Sequence, residues 1–145
     1  MRLYFDTSTL VAAFVQGHPH SGPALQCLED MVSQKHQGYT SVHSLAEVYA
    51  VLTRAPFQPR ITPAIAWRLL EENILPILEL VTLTAAEYQQ VIQNCAAGQH
   101  TGGRTYDAIH LHCALKVDCD KLYTLNVRDF RALAPDPFQS RIVTP

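Results

Sequence analysis

The chain has 145 residues, a length typical of a single domain. Its composition is 48% hydrophobic and 17% charged, which is typical of a folded globular protein and excludes a disordered chain. The 11 basic and 13 acidic residues give a formal net charge of −2, so bulk positive charge cannot supply affinity for a nucleic acid. An anionic substrate would need a local cationic feature, such as an arginine cluster or a bound metal ion.

The four cysteines, Cys27, Cys95, Cys113 and Cys119, form no C-x-x-C pair and no spacing typical of a zinc site or a disulfide framework. We therefore expect reduced thiols in the core. The N-terminal segment reaches its first acidic residue too early for a secretory signal, and no later run has the ~18 apolar residues of a membrane span. These features predict a cytoplasmic protein with one domain over residues 1–145.

Short apolar segments alternate with helical patterns along the chain. Strands are predicted at 2–6, 39–41, 77–83 and 121–125, and helices at 10–15, 24–37, 45–52, 65–73, 85–97 and 105–116. Asp6-Thr7-Ser8-Thr9 is predicted to be a polar turn, and Thr84-Ala85-Ala86-Glu87 fits a capping box that opens a helix. The alternation predicts an α/β domain with a mostly parallel sheet.

Four acidic residues lie where the elements of such a sheet could converge. Asp6 and Asp129 follow predicted strands, while Glu47 and Asp107 lie in the first two turns of predicted helices. Ligands of parallel α/β sheets bind beyond the carboxyl ends of the strands, so these four side chains are candidates for one shared site.

Each of these acids also has a purely structural interpretation. Ser44-Leu45-Ala46-Glu47 fits a capping box, and Asp107 could complement a helix dipole. Asp129 could cap a turn, and Asp6 could simply end its strand. Asp6 is the hardest to explain in this way, because an acid that directly follows an apolar strand is partly buried and needs a cation or several donors to stay ionised.

Four short blocks of sequence carry a resemblance to a known family. They are Asp6-Thr7-Ser8-Thr9-Leu10, Ser44-Leu45-Ala46-Glu47-Val48-Tyr49, Tyr106-Asp107-Ala108-Ile109-His110-Leu111 and Thr124-Leu125-Asn126-Val127-Arg128-Asp129-Phe130. In this order and spacing the chain resembles the PIN-domain family, and especially the VapC-like toxins of prokaryotic toxin–antitoxin pairs. The resemblance implies a Rossmann-like, three-layer α/β/α domain with a central, mostly parallel sheet.

The resemblance also implies a Mg²⁺- or Mn²⁺-dependent ribonuclease whose catalytic, metal-binding acids are Asp6, Glu47 and Asp107. The fourth position falls on Asn126 or Asp129, and we favour Asp129 because it carries a charge. The implied partners are an RNA substrate, a second copy of the chain in a homodimer, and a cognate antitoxin. We expect the antitoxin's tail to occupy the acidic cleft and to present an arginine there.

The residue chemistry is consistent with this implication. Hard divalent ions prefer carboxylate and water oxygens, and clustered acids raise one another's pKa until a cation binds. The hydroxyls of Thr7, Ser8 and Thr124 could orient the carboxylates, although each could equally be an ordinary turn residue. Arg104 and Arg128 flank two of the acids and could contact phosphates.

The histidines are weaker candidates. His110 lies three residues after Asp107, but packing or pairing is its commoner role. His110 and His112 are two residues apart on a helix and should point to different sides, which argues against a shared zinc ion.

Two other functions stay open. One is a PIN-like module that binds RNA or a protein without cleaving it. The other is a phosphatase with Asp6 as its nucleophile, which is less favoured because Ser8 stands where such enzymes usually have a second aspartate.

Overall fold

The computed structural model describes all 145 residues and contains five strands and eight helices. The strands are β1 (Arg2–Phe5), β2 (Gln37–Ser41), β3 (Glu79–Val81), β4 (Lys121–Tyr123) and β5 (Ile142–Val143). The helices are α1 (Thr7–Phe14), α2 (Ser21–Ser33), α3 (Val42–Arg54), α4 (Pro63–Leu69), α5 (Ala85–Ala97), α6 (Arg104–Lys116), α7 (Val127–Leu133) and α8 (Asp136–Gln139). A π-helical turn, Leu70–Ile74, continues α4.

All five strands pair in parallel in the order β3-β2-β1-β4-β5. The central strand β1 pairs with β2 on one side, where Leu3 lies opposite Gly38, and with β4 on the other, where Tyr4 lies opposite Leu122. The carboxyl ends of these three strands therefore lie side by side. Because the strand order reverses at β1, a crevice is expected at this edge of the sheet. The predicted parallel α/β architecture is confirmed.

The core lies on both faces of the sheet, because successive residues of β1 point in opposite directions. Leu3 and Phe5 pack with buried residues of α1 to α4, whereas Tyr4 packs with buried residues of α6 to α8. Helix α5 covers α6 through a smaller cluster that includes Val91 and Ile109. The three-layer α/β/α fold is thus confirmed.

The first turn of α1 differs from the prediction. The segment Asp6 to Thr9 was expected to be a polar turn, but α1 already begins at Thr7. The reason is that the Asp6 carboxylate accepts a hydrogen bond from the backbone N–H of Thr9 and so caps the helix.

The alternative interpretation of Ser44-Leu45-Ala46-Glu47 as a capping box is wrong. Ser41 caps α3 and accepts from the N–H of Ser44, which is already the third residue of that helix. The side chain of Glu47 is therefore not needed as a cap. By contrast, the cap predicted at Thr84 is confirmed, since its hydroxyl accepts from the N–H of Glu87 at 3.2 Å.

The four cysteines are free, as expected, and three of them are buried: Cys95, Cys113 and Cys119. No helix combines the length and the apolar character that crossing a membrane requires.

Candidate active site

Asp6 lies at the carboxyl end of the central strand and is almost fully buried, with 2% of its surface exposed. Its Oδ1 accepts hydrogen bonds from the Ser8 hydroxyl at 2.7 Å and from the N–H of Thr9 at 3.0 Å. Its Oδ2 accepts from the Thr124 hydroxyl at 2.8 Å. Burial raises the pKa of Asp6, while the charge of His110 and these donors act in the opposite direction.

The hydroxyls that hold Asp6 are themselves oriented by the chain that follows β4. The N–H of Leu125 donates to the Ser8 hydroxyl at 3.0 Å, and the N–H of Asn126 donates to the Thr124 hydroxyl at 2.9 Å. Each hydroxyl can then turn its own proton toward the carboxylate. The predicted role of Ser8 and Thr124 beside the acid is confirmed as a contact, and the Asp6 carboxylate is held in one orientation.

Glu47 reaches the same edge from the second turn of α3, the helix that follows β2. Its Oε1 accepts from His110 Nε2 at 2.6 Å and from the Thr7 hydroxyl at 3.2 Å. Because a carboxylate only accepts, Nε2 of His110 carries a proton. Burial raises the pKa of Glu47, but hydrogen bonding and charge from His110, with smaller contributions from His43 and Thr7, outweigh burial and lower the pKa overall.

His110 is buried in α6, with 2% of its surface exposed, and is held from both sides. Its Nδ1 lies 3.0 Å from the hydroxyl of Tyr4, which is itself fully buried in β1, and 3.2 Å from the hydroxyl of Ser41. The imidazole therefore connects the central strand to the Glu47 carboxylate. As predicted, His112 points elsewhere on the helix, with its Nε2 3.6 Å from Glu87.

Asp107 differs from the other two acids because no donor of the protein compensates its charge. It lies in the first turn of α6, which has no side-chain cap. Burial and the charge of Asp6 raise its pKa to about 6, with further repulsion from Asp129 and Glu47 and an opposing contribution from His110. A carboxyl group whose environment disfavours its charged form is a recurring feature of functional sites.

Asp6, Glu47 and Asp107 line one pocket of about 300 Å³ together with His110 and Asn126. Four acids from four distant segments are predicted to converge, and the structure brings three of them, Asp6, Glu47 and Asp107, to this pocket. Asp129 is not among the residues that line the pocket.

The favoured fourth acid, Asp129, lies in the first turn of α7, half-exposed, with Arg104 Nη2 3.6 Å from its Oδ1. Asn126 lines the pocket, yet Asp129 is close enough to add to the repulsion on Asp107. Which of the two completes the site stays a prediction.

Two histidines lie close to Glu47, and the sequence alone indicates them only weakly. His110 was considered only as a minor candidate, and the spacing of three residues from Asp107 was the available signal. His43 was not considered, although it lies four residues before Glu47 on α3, and its Nε2 lies 3.4 Å from Glu47 Oε1. Its Nε2 is buried and has no hydrogen-bond partner.

The donor set of the pocket suits a hard divalent cation in its chemistry, since its charged groups are carboxylate oxygens. Asp107 accepts no hydrogen bond, and Glu47 accepts through Oε1 alone, which leaves acceptor sites for an ion. As the side chains stand, no group of three or more His, Cys, Asp and Glu residues is arranged to hold a metal ion. Binding one would therefore require side chains to move, and Asp107, which accepts no hydrogen bond, is the least constrained of the three acids.

A family model and a named relative each match most of the chain. The PIN domain family model matches residues 3–134. Ribonuclease VapC40 of Mycobacterium tuberculosis is 33% identical over 128 residues, which is 88% of this chain and 87% of the relative. Ribonuclease VapC27 of the same organism is 42% identical over 67 residues, which is 46% of this chain and 47% of the relative.

Two solved structures share the fold at 18% identity and a TM-score of 0.70 each. One is VapBC2 from Rickettsia felis bound to a DNA fragment from its promoter, and the match covers 100% of this chain and 99% of that one. The other is Mycobacterium tuberculosis VapC20, described as a sarcin-ricin loop cleaving toxin, with 90% and 94% covered. Together with the match to the family model over nearly the whole chain, the relatives named VapC show that this chain belongs to the PIN-domain family.

Proposed function

We propose that the protein is a divalent-cation-dependent endoribonuclease that hydrolyses RNA phosphodiester bonds at the pocket of Asp6, Glu47 and Asp107. The observation that carries this proposal is the convergence of three acids from three elements on one pocket at the carboxyl edge of the sheet. The names of the relatives, which are ribonucleases, support the reaction class.

Charge favours a cation in this pocket over a purely structural role. The protein uses hydrogen bonds to stabilise Asp6 and Glu47, but leaves Asp107 with a raised pKa of about 6 and no donor. A Mg²⁺ or Mn²⁺ ion held by these three carboxylates, with Asp129 or Asn126 nearby, would supply a Lewis acid that activates water and neutralises charge on the phosphodiester. It would also supply the local attraction for RNA that a net charge of −2 does not.

The surrounding residues have separate tasks in this proposal. Ser8 and Thr124 fix the orientation of Asp6, and His110 fixes that of Glu47, so the ligands are held before an ion arrives. Arg104 and Arg128 are both exposed. Arg104 lies near Asp129, with 3.6 Å between its Nη2 and Oδ1, whereas Arg128 makes no ion pair and is available for a substrate phosphate.

We also propose that the protein acts as the toxin of a toxin–antitoxin pair and binds a cognate antitoxin that closes the acidic pocket with an arginine. The fold is shared with a structure of VapBC2 and with a toxin described as cleaving the sarcin-ricin loop. A homodimer remains part of this proposal, and α4 leaves Ile65 and Trp67 about half exposed for such an interface.

RNA cleavage by the purified protein with Mg²⁺ or Mn²⁺ tests the enzyme assignment. Asp6→Asn and Asp107→Asn should each abolish cleavage while the circular dichroism spectrum stays that of the wild type. The matched control is Asp118→Asn, because Asp118 pairs with Arg2 and Arg141 at the opposite edge of the sheet. RNA binding without cleavage by the wild type would favour the alternative of a binding module.

The metal is tested separately by thermal melting. Mg²⁺ or Mn²⁺ should raise the melting temperature of the wild type and not that of Asp107→Asn, because only a bound ion shifts the folding equilibrium. Cleavage that persists in chelator, or in both aspartate variants, would disprove the proposal.

A further inference from the structure

An exposed aromatic ring stands beside the acidic pocket. Tyr106 directly precedes Asp107 in α6 and has 50% of its surface exposed, whereas Tyr4 and Tyr39 are buried in the core. A single exposed aromatic residue is common on protein surfaces and carries no meaning alone. The contacts of the Tyr106 ring, however, connect it to the acidic pocket.

The ring of Tyr106 stacks on His43 of α3. Their centroids lie 5.1 Å apart and the two planes are inclined by only 19°. His43 in turn has its Nε2 3.4 Å from Glu47 Oε1 and its ring centroid 6.1 Å from that of His110. His43 thus covers one face of Tyr106 and links the ring to Glu47 of the pocket, while half of the surface of Tyr106 stays open to solvent.

We propose that Tyr106, backed by His43, is a stacking platform for an unpaired nucleobase adjacent to the phosphate that is cleaved. This inference rests on the proposed ribonuclease function and assigns to Tyr106 a contact with the substrate of the same site. A flat aromatic ring can stack on any base, so the platform selects unpaired over paired nucleotides without selecting a sequence.

Electrostatics explain why such a platform is needed here. Many nucleic-acid-binding proteins obtain affinity from phosphate contacts with a basic surface, but this chain has a net charge of −2 and an acidic pocket. The exposed Arg104 is already near Asp129. Stacking does not depend on net charge, and it can hold a nucleotide where phosphate contacts are few.

The test compares Tyr106→Leu, which removes the ring, with Tyr106→Phe, which keeps it. Tyr49→Leu is the matched control, because Tyr49 is also a partly exposed tyrosine and lies two residues from Glu47, on another side of α3. With a short single-stranded RNA, Tyr106→Leu should lower kcat/KM about 5- to 150-fold, mainly through KM. Tyr106→Phe and Tyr49→Leu should stay within about twofold of the wild type, and all should melt as the wild type does.

A second measurement does not depend on cleavage. RNA that carries 5-iodouridine is irradiated with the wild-type protein, and the cross-linked residue is found by mass spectrometry. Cross-linking at Tyr106 supports the stacking contact even if no RNA is cleaved, in which case the proposed function fails and only the contact between Tyr106 and RNA stands.

The opposite pattern overturns the inference alone. If Tyr106→Leu cleaves RNA at the wild-type rate and the cross-links lie at other residues, the proposed ribonuclease function stands and the stacking platform is disproved. If Tyr106→Leu instead weakens only the binding of a co-expressed protein partner, the ring belongs to a protein interface and the inference is wrong.

Discussion

Replacement of Asp107 by asparagine should make the protein more stable at neutral pH in the absence of metal. Burial and the neighbouring charge of Asp6 raise the pKa of Asp107 to about 6, and no hydrogen bond compensates the ionised carboxylate. Asparagine has nearly the same shape but carries no charge. The substitution therefore removes the repulsion and keeps the packing.

The sign and size of the effect follow from the pKa values. A carboxyl group whose pKa is higher in the folded protein than its ordinary 3.8 binds its proton more tightly when folded. The contribution of Asp107 to ΔG of unfolding is therefore most favourable below about pH 4 and is lost as the pH rises through about 6. The difference corresponds to at most about 3 kcal/mol. Because Asp107 is only partly buried, solvent screening reduces this to about 1–2 kcal/mol.

Urea denaturation in the presence of a chelator measures this directly. At about pH 8, Asp107→Asn should be about 1–2 kcal/mol more stable than the wild type, and at about pH 4 the two should coincide. Asp136→Asn, which changes an exposed carboxylate of α8, should give no such gain. An equal effect of Asp107→Asn at both pH values, or none, would refute the idea that the pocket holds repelling charges.

Three further predictions concern other parts of the molecule. His110→Leu should lower Mn²⁺ affinity about 10- to 100-fold in calorimetry, because Glu47 loses its 2.6 Å hydrogen bond, whereas His110→Gln, which keeps an N–H donor, should lose less. Gly38→Ala should destabilise the protein by about 1–3 kcal/mol in urea denaturation, because the added Cβ would overlap the Met31 side chain and lie 2.6 Å from Leu78 Cδ2. Unchanged stability would show that these two side chains move freely. Ellman's reagent at about pH 8 should modify the partly exposed Cys27 and spare the buried Cys113. Burial raises the pKa of both thiols, that of Cys113 to about 11, so exposure decides the difference, and rapid reaction of Cys113 would show that the core opens.

Local features of the fold were predictable because they depend on neighbouring residues. The apolar run before Asp6 predicted the central strand, and the cap at Thr84 followed from the spacing of one hydroxyl and one glutamate. Helix α6 was predicted within one residue of its observed start at Arg104. The start of α3 was less well predicted. Ser44 and Glu47 have the spacing of a capping box, but the helix begins at Val42 and Ser41, the last residue of β2, is its cap.

The sequence by itself determined that the chain is an α/β domain and that acidic residues follow strands or lie near the starts of helices. The reason is that hydrophobic periodicity and strand ends depend on consecutive residues. Only the tertiary structure decided how the carboxylates differ, because their charges depend on partners far along the chain. Glu47 meets His110, 63 residues away, and Asp6 meets Thr124, 118 residues away. Asp107 accepts no hydrogen bond. This difference between Asp107 and the other two acids depends on the tertiary structure, because the sheet brings the ends of separate strands together.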